Sequence, residues 1–177
     1  MRKLKIDELN RISTEEFKNS SKTPVVVVLD NIRSLHNVGS IFRTSDALRL
    51  EAVYLCGITS APPHKEIHKT ALGAEDSVAW HHFKRTIDAI EKLKENQYFL
   101  IGVEQVEGST DLRSFQVDSK KKYAIILGHE VRGIDQEVID RCDLCLEIPQ
   151  YGTKHSFNVS VSGGIVLWEI AKPWLND

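Results

Sequence analysis

Val25-Val26-Val27-Val28-Leu29-Asp30-Asn31 is an apolar run that stops on two polar residues, and Asn37-Val38-Gly39-Ser40-Ile41-Phe42-Arg43-Thr44 follows it closely. An unbroken, mostly β-branched run with polar bounds reads as a strand buried on both faces. In the second stretch Val38, Ile41 and Phe42, with Leu48 beyond, recur at helical spacing. A buried strand therefore passes into a helix that carries an amide, a glycine and an arginine. A scaffold needs Val and Ile at such a junction. An Asn, a close-approach Gly and an Arg in one short stretch mark a site.

The same alternation continues outward. Further strand-like runs lie at 52–56, 78–80, 99–103, 123–127 and 144–148. Helical patterns separate most of them. One spans 63–71 with Gly73 as a stop; Thr86 caps the next, which contains Ile87, Ile90 and Leu93. Asp135 caps another through Val138 and Ile139. The last runs from Asn158 through Ile165, Leu167 and Ile170 to a stop at Pro173. Ahead of the first strand, Ile6, Leu9 and Ile12 sit at helical spacing, and Thr14-Glu15-Glu16-Phe17 opens a second helix. The expected organisation is a short helical arm over 1–22 and one domain over 23–177. The expected fold class is α/β, with a mostly parallel six-stranded sheet and helices on both faces. Ligands of such sheets sit beyond the carboxyl ends of the strands. Those ends are Asp30-Asn31, Val103-Glu104, Gly128-His129-Glu130 and Ile148-Pro149-Gln150. No internal repeat, low-complexity stretch or long linker interrupts the pattern.

Bulk properties remove several classes. The chain has 177 residues, 41% hydrophobic and 27% charged, enough for one ordinary core and too apolar for disorder. No apolar run approaches the about 20 residues that span a bilayer. The basic start Met1-Arg2-Lys3-Leu4-Lys5 lacks the apolar segment of a signal peptide, so a cytoplasmic protein is expected. A net charge of −2 gives no global signal for nucleic acid but leaves room for a local basic patch. Cys56, Cys142 and Cys145 form an odd, sparse set, which reads as reduced thiols. Cys142 and Cys145 make a C-x-x-C, yet Cys145 sits inside an apolar strand where a redox pair wants a helix N-terminus. They read as small buried hydrophobes. His64 and His68 lie four apart, but no third ligand is placed, so no metal is expected.

Two more constellations complement the first. In Leu127-Gly128-His129-Glu130-Val131-Arg132-Gly133 a strand ends between two glycines that flank a carboxylate. This is either a site or an ordinary turn with a surface Glu. In Ile148-Pro149-Gln150 and Ser156-Phe157-Asn158-Val159-Ser160-Val161-Ser162-Gly163-Gly164 a proline stops a strand, and small polar residues then head a greasy helix. One cap explains Ser156 or Asn158; four polar residues and two glycines imply close packing by another segment or a ligand. Neither a G-x-x-x-x-G-K-[ST] loop nor a G-x-G-x-x-G after a strand is present, which disfavours a nucleotide-dependent Rossmann enzyme.

These three blocks, in this order, resemble the SpoU family of ribose 2′-O-methyltransferases, of TrmH type, within the SPOUT superfamily. The first matches its N-x-G-x-x-x-R-T, the second its G-x-E-x-x-G, and the third its I-P followed by S-L-N-V-S, with Phe157 in place of leucine. Lys69-Thr70-Ala71-Leu72-Gly73-Ala74 also resembles the stretch after the family's second strand. The likeness covers about residues 24–170.

The resemblance implies S-adenosylmethionine as cofactor, RNA as acceptor, a C-terminal trefoil knot, and a homodimer with its active site at the interface. It places Val103, Gly128, Glu130, Ile148, Gln150, Ser156, Phe157 and Asn158 around the cofactor. Asn37, Arg43, Glu130, Ser156 and Asn158 become the catalytic set, with Arg43 the residue to which the family assigns catalysis. Arg33, His36, Arg43, Arg132 and Lys154, with His155, are expected to form an RNA-binding basic face. The short arm leans the acceptor toward tRNA. The same chemistry on ribosomal RNA is the alternative, as is a non-catalytic RNA-binding SPOUT protein.

Overall fold

A computed structural model describes residues 1–175. Seven strands form one sheet: β1 Thr23–Asp30, β2 Leu50–Cys56, β3 Trp80–Phe83, β4 Tyr98–Val103, β5 Thr110–Asp111, β6 Lys122–Leu127 and β7 Leu144–Glu147. Their order is β3-β2-β1-β6-β4-β7-β5, and every pairing is parallel. Among the described residues seven α-helices accompany them: α1 Thr14–Asn19, α2 Leu35–Ala47, α3 Lys65–Ala71, α4 Ala74–Ser77, α5 Thr86–Glu95, α6 Gln136–Ile139 and α7 Val159–Ala171.

The valine run explains the layering. Successive strand side chains point to opposite faces. Val25, Val27 and Leu29 pack with Ile41 and Phe42 of α2, Ile67 of α3 and Val166, Leu167 and Ile170 of α7. Val26 and Val28 point the other way, onto Ile87, Ile90 and Leu93 of α5 and Val138 of α6. Burial on both faces is what permits five consecutive apolar residues. Each such side chain contributes about 1.5–3 kcal/mol.

The sheet differs from the expected six strands. The seventh, β5, is two residues long, Thr110-Asp111, and carries no apolar signature. The third strand is also displaced from 78–80 to Trp80–Phe83. Val78 is buried, but as the residue that closes α4, while the edge strand β3 exposes His81 and His82. Three expected helix starts are reassigned. The Thr86 hydroxyl does not cap α5; it donates to Asp30 Oδ1 at 2.5 Å. Asp135 precedes α6 without a side-chain capping bond, and its N–H donates to Asp30 Oδ2 at 3.2 Å. The helix expected from Pro63 begins at Lys65, where His64 Nδ1 accepts the Glu66 N–H at 3.1 Å. Burial pushes the Asp30 carboxyl up from its ordinary range, and these donors at the end of β1 oppose that push.

Candidate functional site

The three sequence blocks meet beyond the carboxyl ends of β1, β6 and β7, and a chain of hydrogen bonds joins them. Glu130, in the turn after β6, accepts the backbone N–H of Arg33 at 3.0 Å and of Ser34 at 2.9 Å. Its Oε1 also accepts Asn37 Nδ2 at 3.1 Å. Asn37 Oδ1 in turn accepts Asn158 Nδ2 at 3.1 Å. Asn158 heads α7, and its Oδ1 takes the Ser160 N–H at 2.9 Å and the Ser160 hydroxyl at 2.7 Å. One network thus connects residues 33 to 160. Asn37 is buried at 7% exposure, so its amide oxygen and nitrogen both need these partners.

The network fixes a charge. Burial alone would push the Glu130 carboxyl up. The N–H groups of Arg33, Ser34 and Glu130 itself, with the Asn37 amide, outweigh that and hold it below its ordinary range.

The turn around Glu130 is tightly built. His129 and Gly133 exchange backbone hydrogen bonds at 3.0 and 2.8 Å. His129 Nδ1 accepts the Val131 N–H at 3.0 Å. Gly133 has φ +70°, and a Cβ on Gly128 would fall 2.3 Å from the Gly133 carbonyl carbon. Both glycines are therefore required by backbone geometry. Gly39 is a close-approach glycine of a different kind. A Cβ there would fall 2.3 Å from the Ile67 carbonyl oxygen, so it serves the crossing of α2 with α3 and faces no ligand space. Gly163 likewise seats α7, since a Cβ there would fall 2.6 Å from Ile41 Cδ1 and 2.9 Å from Leu127 Cδ1.

Beside the network lies a cavity of about 560 Å³. Val103, Gly128, Glu130, Ile148, Gln150, Ser156, Phe157 and Asn158 all line it. Arg132 and His155 stand on its wall as well. Arg43 and His36 do not join it. They sit on the exposed side of α2, where His36 Nε2 pairs with Glu66 Oε2 at 3.1 Å. Lys154 is exposed in the loop before α7, and Arg33 reaches the network through its backbone.

Sequence reasoning missed Gln105 and Glu147, which also line the cavity, and marked Glu104 and His129 only as strand ends without a role. Their signal was position. Glu104 and Gln105 directly follow a strand end, and Glu147 closes β7. Glu147 Oε2 accepts the Ser109 hydroxyl at 2.8 Å. The thiols stand apart from this chemistry. Burial pushes Cys142 up to about 12 and raises Cys145, which favours the protonated thiol in both. Among the described residues no three His, Cys, Asp or Glu gather as a metal site would require, and no helix is long and apolar enough to cross a membrane.

Residues 24–168 match the model of the SpoU rRNA Methylase family. The chain belongs to that family. It is 32% identical over 161 residues to the 23S rRNA (guanosine-2'-O-)-methyltransferase RlmB of Neisseria meningitidis, covering 90% of this chain and 63% of that protein. A crystal structure of an AdoMet-bound rRNA methyltransferase from Sinorhizobium meliloti superposes with a TM-score of 0.80 at 26% identity, over 91% of this chain and 61% of that one. A structure described as giving insight into 2-OH methylation of C/U34 on tRNA superposes at 0.74 with 20% identity, over 86% of this chain and 97% of that one. At that identity the last likeness bears on the fold alone. The SpoU chain described here thus spans under two thirds of the length of the first two relatives.

Proposed function

We propose that this chain is an S-adenosylmethionine-dependent RNA methyltransferase that methylates a ribose 2′-OH, with tRNA as the acceptor. The carrying observation is the Glu130–Asn37–Asn158 network, which ties three separate motifs together, two of them on the wall of one cavity. The cavity's chemistry suits the cofactor. Its size lies within the ordinary range for small-molecule sites. Val103, Leu127, Leu146, Ile148 and Phe157 offer an apolar slot for a purine, while Glu104, Glu130 and Glu147 supply negative charge for a cationic ligand. S-adenosylmethionine, when bound, supplies an electrophilic methyl on a sulfonium.

The residues then divide the work. Val103, Gly128, Ile148, Gln150, Ser156 and Phe157 hold the cofactor. Glu130 stays ionised at neutral pH and, with Asn37 and Asn158, fixes the donor side against α2. Ser156, on the cavity wall, is assigned to the acceptor as well as to the donor. Arg43 grips the phosphate next to the target ribose through a bidentate contact. A guanidinium remains protonated at any ordinary pH, so Arg43 is assigned the phosphate and not the 2′-OH proton. Arg33, His36, Arg132, Lys154 and His155 extend the phosphate-binding face, which makes RNA affinity fall with salt.

Arg43 lies on the outer side of α2, away from its own cavity, and a homodimer resolves this. A second copy would bring its Arg43 to the donor site from across the interface. An apolar stripe on α7 supports such pairing: Val161, Ile165 and Trp168 are 49%, 38% and 58% exposed on a helix packed against α2. The same family reading threads the C-terminal segment into a trefoil knot and makes the arm over 1–22 distinct from the methyltransferase domain over 23–177. A cytoplasmic location goes with RNA as substrate.

Ribosomal RNA is the second reading, favoured by the names of RlmB and the S. meliloti protein. The test is transfer of label from [methyl-³H]S-adenosylmethionine to purified tRNA and rRNA, with nucleoside digestion. A labelled 2′-O-methylnucleoside from tRNA alone is expected. Label only in a base, or in neither RNA, contradicts the proposal.

A further inference from the structure

Two residues directly after β4 reach in opposite directions. Glu104 Oε2 accepts the Ile134 N–H at 3.0 Å, just beyond the Gly128–Gly133 turn, while its Oε1 accepts the Gln105 N–H at 2.9 Å. A Cβ on Gly133 would fall 2.2 Å from Glu104 Oε2, so the turn is built around that carboxylate. Gln105 Nε2 points to the other wall and donates to the His155 carbonyl at 3.0 Å. Gln150 Nε2 reaches the same carbonyl at 3.5 Å, from within the loop itself. The residues from Tyr151 to Asn158 are all exposed, yet His155, Ser156, Phe157 and Asn158 wall the cavity. An exposed loop with few ties depends strongly on each one.

We propose that Glu104-Gln105 is a clasp in which one strand end holds both walls of the cavity, Glu104 the glycine turn and Gln105 the 150–157 loop. Both are positioning residues for the donor. This rests on the reading of the cavity as the S-adenosylmethionine site. Loss of the Gln105 amide frees the loop, so the donor must close it at the expense of its own binding. One net hydrogen bond corresponds to a change of about two- to tenfold in the closed population. Gln105 is exposed, so its replacement leaves the core untouched.

The test combines limited trypsin cleavage after Lys154 in the free protein with calorimetric titration of S-adenosylmethionine, for wild type, Gln105→Ala and Gln105→Glu. The glutamate keeps the length of the side chain and removes the donor. Both variants should be cut faster after Lys154, with amide exchange across 128–134 unchanged. The donor Kd and KM should rise by about two- to tenfold, with kcat at saturation moving less. Glu104→Ala should show the mirror pattern, faster amide exchange across 128–134. Wild-type cleavage after Lys154 in Gln105→Glu overturns the clasp, and so does faster cleavage with an unchanged donor Kd. A wild-type protein that binds no S-adenosylmethionine, while the variants are still cut faster, overturns the assignment of the cavity and supports the clasp as a structural device.

Discussion

The Gly128–Gly133 turn and the 150–157 loop wall the same cavity and are held by opposite means. The turn is closed by two backbone hydrogen bonds between His129 and Gly133, braced by Glu104, and tied by Glu130 to the start of α2. The loop is exposed from Tyr151 onward and rests on side-chain bonds from Gln105 to the His155 carbonyl and from Arg113 Nη1 to the Tyr151 hydroxyl at 3.1 Å. Around a shared ligand, this difference separates a wall that defines geometry from a wall that admits and covers. It also explains why the Glu130 carboxylate sits on the rigid side: an ionised carboxylate needs donors that do not move away.

Replacement of Glu130 should break the comparison most severely. Glu130→Ala strands the N–H groups of Arg33 and Ser34 and the Asn37 amide. The expected costs are about 1–3 kcal/mol in unfolding free energy and loss of methyl transfer by about a hundredfold or more. Denaturant unfolding and single-turnover transfer check the two. Wild-type transfer in this variant would remove Glu130 from the site.

A pair of glycine substitutions sharpens the contrast between the walls. Gly133→Ala must place a side chain at φ +70° and against Glu104, with an expected cost of about 1–3 kcal/mol. Gly152→Ala meets nothing within 4 Å and should stay within about 0.5 kcal/mol. Thermal unfolding of both measures the difference. Equal shifts would mean that the walls are not held differently.

The smallest effect concerns pH. Glu130 is held below its ordinary value near 4.5, so its stabilising contribution is fully present above that value and fades as pH falls through the lowered folded value. The stability gap between wild type and Glu130→Gln should be flat from about pH 6 to 8 and shrink in acid below about 4.5. A gap that widens in acid would reverse the sign of the shift.

Much of this was legible in the chain. Valines 25–28 announced a doubly covered parallel strand because burial on both faces removes the polar alternation. The second and third motif blocks announced the cavity because Gly133 and Asn158 each obey a local rule of backbone or capping. Legibility failed where a contact is purely tertiary. Thr86 looked like a cap and instead serves Asp30, fifty-six positions away in sequence. Gly39 looked like a ligand contact and serves Ile67. β5 is too short to carry a pattern, and Gln105 acts through a carbonyl that no side-chain motif records.

The central claim is that the three blocks form a ribose methyl-transfer site completed by Arg43. Position-resolved mapping of 2′-O-methylation tests it, using RNA from cells that carry the protein, lack it, or carry Arg43→Ala. A single tRNA ribose methylated only with the wild-type chain, and lost in both other strains, is the predicted result. An identical methylation map in all three would contradict the account.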